Sequence, residues 1–278
     1  MAKEDKKINS SIRSFGGKSN MLASLYEHFP PVESYVSYVE PFMGSLVVGL
    51  NLPNKKCSCI VNDLNKNIYS FFKVLQNKET FEELKSKLEL LFYSEDIFDE
   101  SLEWLKEAGQ KDGYSIEERA YHFFIVNRMS YSGNNASFGK NMSIRRTTSK
   151  SVSDMLSSID GMYEIHEKIQ RFIILNRDAL DIIENYNNSD YFFYCDSPYA
   201  HCTRTKCRYP VDMDDETQEK YINLLVNGKS KYLVSGYRCE LYDDVLLGNG
   251  WKRVDFNVNT ISGTNKAKTK VESLYMNY

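Results

Sequence analysis

Apolar residues along this chain keep two spacings, and the change from one to the other divides it. Tyr35 to Val39 reads as a short strand that Pro41-Phe42-Met43-Gly44 breaks, and Ser45 to Leu52 reads as the start of a helix. Cys59 to Val61 is a second strand ending at Asn62-Asp63, followed by the helical run Ile68 to Leu75. That βαβα order implies a parallel sheet. From Thr80 to about Asn127 the spacing turns helical, through Phe81, Leu84, Leu88, Leu91, Leu102 and Leu105 to Ala120–Val126. Ser130 to Ser153 loses periodicity and is rich in Ser, Asn, Gly and Thr, which predicts an ordered loop or hairpin. A helix is expected over Asp154 to Arg171. Strand patterns then return at Phe172–Leu175, Tyr191–Cys195, Lys231–Ser235, Trp251–Val258 and Val271–Asn277. Helical stretches at Leu180–Tyr186, Thr217–Val226 and Leu241–Leu247 separate them. The pattern describes an α/β sheet domain in two chain pieces, 1–75 and 165–278, split by a mainly helical insertion over 76–164 with a hairpin or loop.

Charge changes this picture more than composition does. The net charge is only -3, but Glu79 to Glu118 carries thirteen acids against four lysines. Ala120 to Ser153 then carries Arg128, Lys140, Arg145, Arg146 and Lys150 with no acid at all. Further basic clusters stand at Arg204, Lys206 and Arg208 and at Lys266, Lys268 and Lys270. Basic stretches on an acidic chain suit a protein with one phosphate-facing side. The 20 tyrosines exceed what core packing needs and suit surfaces that stack on bases or bind partners. No apolar run approaches the ~18 residues of a membrane span, and the N-terminus is charged, so a cytoplasmic, nucleoid-associated protein is expected. The six cysteines read as reduced thiols. His201, Cys202 and Cys207 lack the paired spacing of a zinc site, and no metal is expected.

The chemistry concentrates at Tyr194-Cys195-Asp196-Ser197-Pro198-Tyr199. Here an apolar strand delivers an acid, a small residue, a proline and an aromatic at its carboxyl end, where open α/β sheets bind ligands. Adenine's exocyclic amine is a poor nucleophile because its lone pair is delocalised into the ring. A carboxylate and a backbone carbonyl accepting its two hydrogens can turn that pair toward an electrophilic methyl group. The aromatic residue can stack on a base drawn out of a helix.

Asp196-Ser197-Pro198-Tyr199 resembles the Asp-Pro-Pro-Tyr motif of the Dam-like adenine-N6 DNA methyltransferases, and four further segments are similar to that family in the same order. They are Phe15-Gly16-Gly17-Lys18, Val39-Glu40-Pro41-Phe42-Met43-Gly44, Val61-Asn62-Asp63-Leu64-Asn65, and Asn127-Arg128 with Tyr131 and Gly133. The resemblance spans essentially the whole chain. It implies a Rossmann-like methyltransferase sheet with helices on both faces, over 1–75 and 165–278, and a target-recognition insertion over 76–164. It further implies S-adenosylmethionine as cofactor and double-stranded DNA as partner, met by a monomer or by a dimer on DNA. The settings it suggests are restriction–modification, regulation and phage protection.

By that resemblance Asp196, Ser197, Pro198 and Tyr199 are the catalytic residues. The cofactor would meet Ser14, Phe15, Gly17, Lys18, Pro41, Phe42, Gly44, Asp63, Asp178 and Asp196. Lys18 would serve the methionine carboxylate, Asp63 the ribose hydroxyls, and Asp178 either the cofactor adenine or the cap of the next helix. DNA would meet Asn127, Arg128, Tyr131, Asn134, Asn135, Lys140, Arg145, Arg146 and Lys150, where Arg and Asn can read base edges and Lys phosphates.

Three positions depart from the family. Ser197 replaces the first proline, which keeps the backbone carbonyl but predicts a looser turn. Leu46 replaces a second glycine after Gly44. Ser14 stands where Trp or Tyr is usual, with Phe15 supplying the aromatic.

Other motifs fail on spacing. Ile12 stands where a phosphate-binding loop ending at Gly17-Lys18-Ser19 needs glycine, and Ile68 and Val74 break a calcium loop starting at Asp63. There is no Gly-x-Gly-x-x-Gly for NAD. Methylation of RNA or of a protein glutamine amide, and a catalytically impaired DNA-binding relative, are the alternative readings.

Overall fold

The computed structural model describes residues 6–14, 16–141, 143–145, 148–198, 213–260 and 268–278. Of the sequence candidates, Phe15, Arg146, Tyr199, His201, Cys202, Arg204, Lys206, Cys207, Arg208 and Lys266 lie outside the described residues. The chain forms two compact units. One is Met1–Tyr26, Gly44–Pro53 and Asn65–Ile174, and the other is Glu27–Met43, Asn54–Leu64 and Leu175–Tyr278.

The first unit is helical. It contains α1 (Leu22–Tyr26), α2 (Val47–Leu50), α3 (Lys66–Gln76), α4 (Lys78–Glu89), α5 (Glu95–Ala108) and α6 (Ile116–Met129). A two-stranded hairpin, β3 (Ile144–Arg145) with β4 (Thr148–Ser149), precedes α7 (Lys150–Asp160) and α8 (Met162–Ile169). Side chains set the helix starts. Asn65, Asn77 and Ser115 accept backbone N–H groups at the first turns of α3, α4 and α6. α6 is buried along most of its last turns, including Phe123 through Met129, as expected of a helix packed by α3 and α5. Phe71 of α3 stacks on Phe124 of α6 with ring centroids 6.1 Å apart. Burying each such ring contributes roughly 1.5–3 kcal/mol.

The helix expected over Asp154–Arg171 is two helices. α7 begins earlier, at Lys150, because Ser149 caps it by accepting from the Val152 N–H. Gly161 then interrupts the run before α8. The hairpin expected within Ser130–Ser153 is present as β3–β4.

The strands of the seven-stranded sheet are β1 (Ser37–Glu40), β2 (Ser58–Asn62), β5 (Phe172–Leu175), β6 (Tyr191–Cys195), β7 (Lys231–Tyr237), β8 (Lys252–Thr260) and β9 (Lys268–Met276). Their order is β5-β2-β1-β6-β7-β9-β8. β2, β1, β6 and β7 run parallel, whereas β9 pairs antiparallel with both β7 and β8. The remaining helices of the second unit are α9 (Ala179–Asn185), α10 (Asp215–Val226) and α11 (Glu240–Leu246).

Alternation along β6 explains its almost unbroken apolar sequence. Phe193 and Cys195 join one core with Ile182, Ile183, Tyr221, Ile222, Leu225 and Leu246 of the three helices. Phe192 and Tyr194 meet the opposite cluster, where Phe29 lies 4.8 Å and 6.1 Å from their ring centroids. A parallel strand buried on both faces must be apolar on both. The α/β, Rossmann-like class read from the sequence is the fold observed.

Candidate active site residues

In the second unit, the carboxyl ends of the parallel strands carry the polar residues that the apolar strands lack. Glu40 closes β1 and is buried, and its Oε2 accepts from the Tyr38 hydroxyl at 2.8 Å. Asn62 closes β2 and is wholly buried. Its amide Nδ2 donates to the carbonyls of Pro41 and Arg177, both at 3.0 Å. Its Oδ1 accepts from the Arg177 N–H at 2.9 Å. One side chain thereby fixes the turn after β1 and the turn after β5.

Asp63 follows, partly buried, with its N–H on the Leu175 carbonyl and its own carbonyl accepting from Asn176 at 2.7 Å. Pro41 is buried, and Phe42 packs edge-on against Tyr221 at 5.8 Å. Asp178 is exposed and caps α9 by accepting from the Leu180 N–H at 2.8 Å.

The Asp196-Ser197-Pro198 turn leaves β6 at its carboxyl end. Cys195 before it is fully buried, and burial pushes its thiol up to about 12, so it is a packing residue and not a nucleophile. The sequence predicts a looser turn at Ser197. The structure shows an anchored one. Ser197 is buried, with its Oγ 3.3 Å from the Tyr242 hydroxyl. Tyr242 donates to Gln218 Oε1 at 2.9 Å, and Gln218 Nε2 donates to the Pro198 carbonyl at 2.8 Å. A hydroxyl that proline lacks thus makes up for the ring constraint that serine lacks.

In the helical unit, Asn127 is wholly buried and ties the segment before Phe15 to α6. Its Oδ1 accepts from the Arg13 N–H at 2.7 Å and its Nδ2 donates to the Arg13 carbonyl at 2.9 Å, with Asn135 Oδ1 at 3.3 Å. Lys18 is buried, and its ammonium donates to the Gly16 carbonyl at 3.0 Å. Gly44 has φ +47°, and a Cβ there would stand 3.6 Å from Ser14. Gly17 also lies against Ser14. Leu46 has a left-handed backbone, with φ 58°, while its side chain is fully buried. A non-glycine residue in that region costs on the order of 1–2 kcal/mol, which the burial of Leu46 offsets.

Arg128 is also buried. Its Nη2 donates to the Asp154 carbonyl at 2.6 Å, and its Nε has no hydrogen-bond partner among the described residues. Burial, with Arg13 nearby, pushes its guanidinium down to about 9. The loop after it is closed by Tyr131 N–H to Ser137 O (2.7 Å) and Gly139 N–H to Met129 O (2.7 Å). Asn134 shapes the loop by accepting from the Ala136 and Ser137 N–H groups. Tyr131, at 59%, and Lys140, which pairs with Glu95, are exposed. Lys150 lies 3.8 Å from Asp154, and Arg145 lies in β3 opposite Thr148.

A Cβ at Gly139 would stand 2.9 Å from the Tyr131 nitrogen and 3.0 Å from the Ser130 carbonyl carbon. Gly139→Ala should therefore displace this loop and destabilise the protein by about 1–3 kcal/mol, read as a lowered midpoint in thermal unfolding.

A parallel-centred sheet with acids and an anchored acid-Ser-Pro turn at its strand ends is a Rossmann-like α/β arrangement, consistent with a methyltransferase. The model of the D12 class N6 adenine-specific DNA methyltransferases matches residues 14–260, and the chain belongs to that family. It is an enzyme that uses S-adenosylmethionine to methylate the N6 amine of adenine in DNA. No curated protein matches the chain. Among the described residues, no helix is long and apolar enough to cross a membrane.

Sequence reading missed Asn62, Gln218 and Tyr242 as site residues. Gln218 had a signal: it lies on the apolar stripe Gln218, Tyr221, Ile222 and Leu225 of α10, where a polar residue must find a buried partner.

Proposed function

We propose that Asp196, Ser197, Pro198 and Tyr199 hold the target adenine of double-stranded DNA after it is flipped out of the helix. The Asp196 carboxylate and the Ser197 carbonyl accept the two N6 hydrogens, and Tyr199 stacks on the base. The observation that carries this reading is the hydrogen-bonded anchoring of the turn at the carboxyl end of β6. Catalysis by these residues is chiefly positioning.

S-adenosylmethionine, when bound, supplies the electrophilic methyl group. The residues present fit it in charge: Asp63, partly buried at the end of β2, suits ribose hydroxyls, and the buried ammonium of Lys18 suits the methionine carboxylate. Ser14, Phe15, Gly17, Pro41, Phe42 and Gly44 complete the cofactor set. Asp178 belongs to it only beside its capping role.

Residues 76–164 are the target-recognition region. Tyr131, Asn134, Asn135, Lys140 and Lys150 meet DNA in this reading, Arg145 and Arg146 join them by their charge alone, and the buried Asn127 and Arg128 support the segment. The enzyme acts in the cytoplasm on nucleoid DNA. Sequencing of modified bases in genomic DNA from cells expressing the protein tests the reading, because it reports the base and the recognised site together. Absence of N6-methyladenine in that DNA would overturn it.

Tyr131→Ala should weaken duplex binding by roughly 1–3 kcal/mol if the ring stacks on a base. S-adenosylmethionine affinity should stay unchanged. Fluorescence anisotropy for DNA and calorimetry for the cofactor check the two halves of this expectation.

A further inference from the structure

Gln218 of α10 and Tyr242 of α11 lie on different helices, and neither belongs to a catalytic motif. They meet at the turn after β6. Both are buried, at 0% and 4% exposure, and both spend their polar atoms on it. Gln218 Nε2 donates to the Pro198 carbonyl and its Oε1 accepts from Tyr242, whose oxygen lies 3.3 Å from Ser197 Oγ. The peptide plane that carries the Ser197 carbonyl lies between these two anchored points. The Pro198 ring fixes its own φ, so with the chain held on both sides by these bonds the plane has little freedom to turn. The Pro198 carbonyl is already committed to Gln218.

We infer that Gln218 and Tyr242 are positioning residues for methyl transfer, which orient the Ser197 carbonyl as an acceptor for the adenine amine. The inference rests on the proposed catalytic role of Asp196 and Ser197. It follows from the bonding that Tyr242 acts both through the Ser197 hydroxyl and through Gln218, so part of its effect should depend on the residue at 197.

Single-turnover methylation of unmethylated genomic DNA with tritiated S-adenosylmethionine, both saturating, tests this. Gln218→Met and Tyr242→Phe should each slow the chemical step about 10-fold to 100-fold. Half-saturating concentrations of cofactor and DNA should stay within about twofold, because neither residue is proposed to touch them. Ser197→Ala should produce part of the loss of Tyr242→Phe, which also removes the bond to Gln218, and the double variant should be no slower than Tyr242→Phe alone.

Gln218→Glu supplies a pH signature. An ionised carboxylate cannot donate to the Pro198 carbonyl, whereas a protonated one can. Its rate relative to the wild type should therefore rise as pH falls from about 8 to about 6, since burial raises a carboxyl group's pKa.

Folded variants with wild-type rates, or losses confined to substrate affinity, would overturn the inference. If Gln218→Met fails to fold, the single-hydroxyl variants Tyr242→Phe and Ser197→Ala still decide it. Asp196→Ala is run alongside. Should that variant methylate at the wild-type rate, the reading of the turn itself fails. If it is inactive while the Gln218 and Tyr242 variants are unaffected, only the present inference fails.

Discussion

Asp196→Ala should abolish methyl transfer, a loss of about 10²–10⁴-fold or more, while the protein still binds DNA. The reason lies in the amine. Its lone pair is shared with the purine ring, and an acceptor for an N6 hydrogen is needed to free it for attack. Asp196 is the first residue after β6, and the anchored Ser197-Pro198 turn fixes the backbone that follows it. The residues proposed to meet the duplex, such as Tyr131 and Lys140, are left intact by the substitution, so duplex affinity should be kept. Methyl-transfer counting and anisotropy on the same preparation check both statements. Wild-type turnover in the variant would remove Asp196 from the site.

Asn62→Leu should produce the largest loss of stability. The substitution keeps the size of the side chain but removes both its donor and its acceptor. Two part-buried contacts to Arg177 and one buried contact to Pro41 are lost at once. Each backbone group left without a partner costs about 1–3 kcal/mol, so a total of about 3–5 kcal/mol is expected. A domain of this size should then melt roughly 10 °C lower. The turns after β1 and β5 would lose their common tie, so affinity for S-adenosylmethionine should fall with stability. Thermal unfolding with and without the cofactor tests this, and an unchanged midpoint would show that Asn62 is dispensable.

The contrast between Asn62 and Asp63 shows how far the sequence could be read. Both stand in the same quoted segment. Asp63 was singled out because an acid at a strand end has an evident chemical use. At Asn62 the sequence carries no such signal, because an amide's value depends on which chain segments reach it, and Arg177 is more than a hundred residues away in the chain. Asn127 shows the same thing from the opposite direction. Its type and its neighbours suited DNA, yet it is wholly buried and holds the Arg13 backbone. Both are amides whose partners are set by long-range packing.

The anchored Ser197 turn belongs with these. In the sequence Ser197 is a departure from the motif, and local rules predict only the loss of a ring constraint. Helices α10 and α11 bring Gln218 and Tyr242 to it, and no local pattern encodes that meeting.

What the sequence determined by itself was set by local periodicity and by short, ordered motifs. Strands β5 and β6 lie where the apolar runs place them, and for β6 the reason is that a strand buried on both faces must be apolar throughout. The S-adenosylmethionine-dependent chemistry on adenine followed from five motifs in order. Tertiary structure alone decided which polar residues support the turn after β6, and which basic-region residues are buried rather than exposed. The physical reason is that a hydrogen bond buried in a core is specified by both partners, and these partners come together only when the chain is folded.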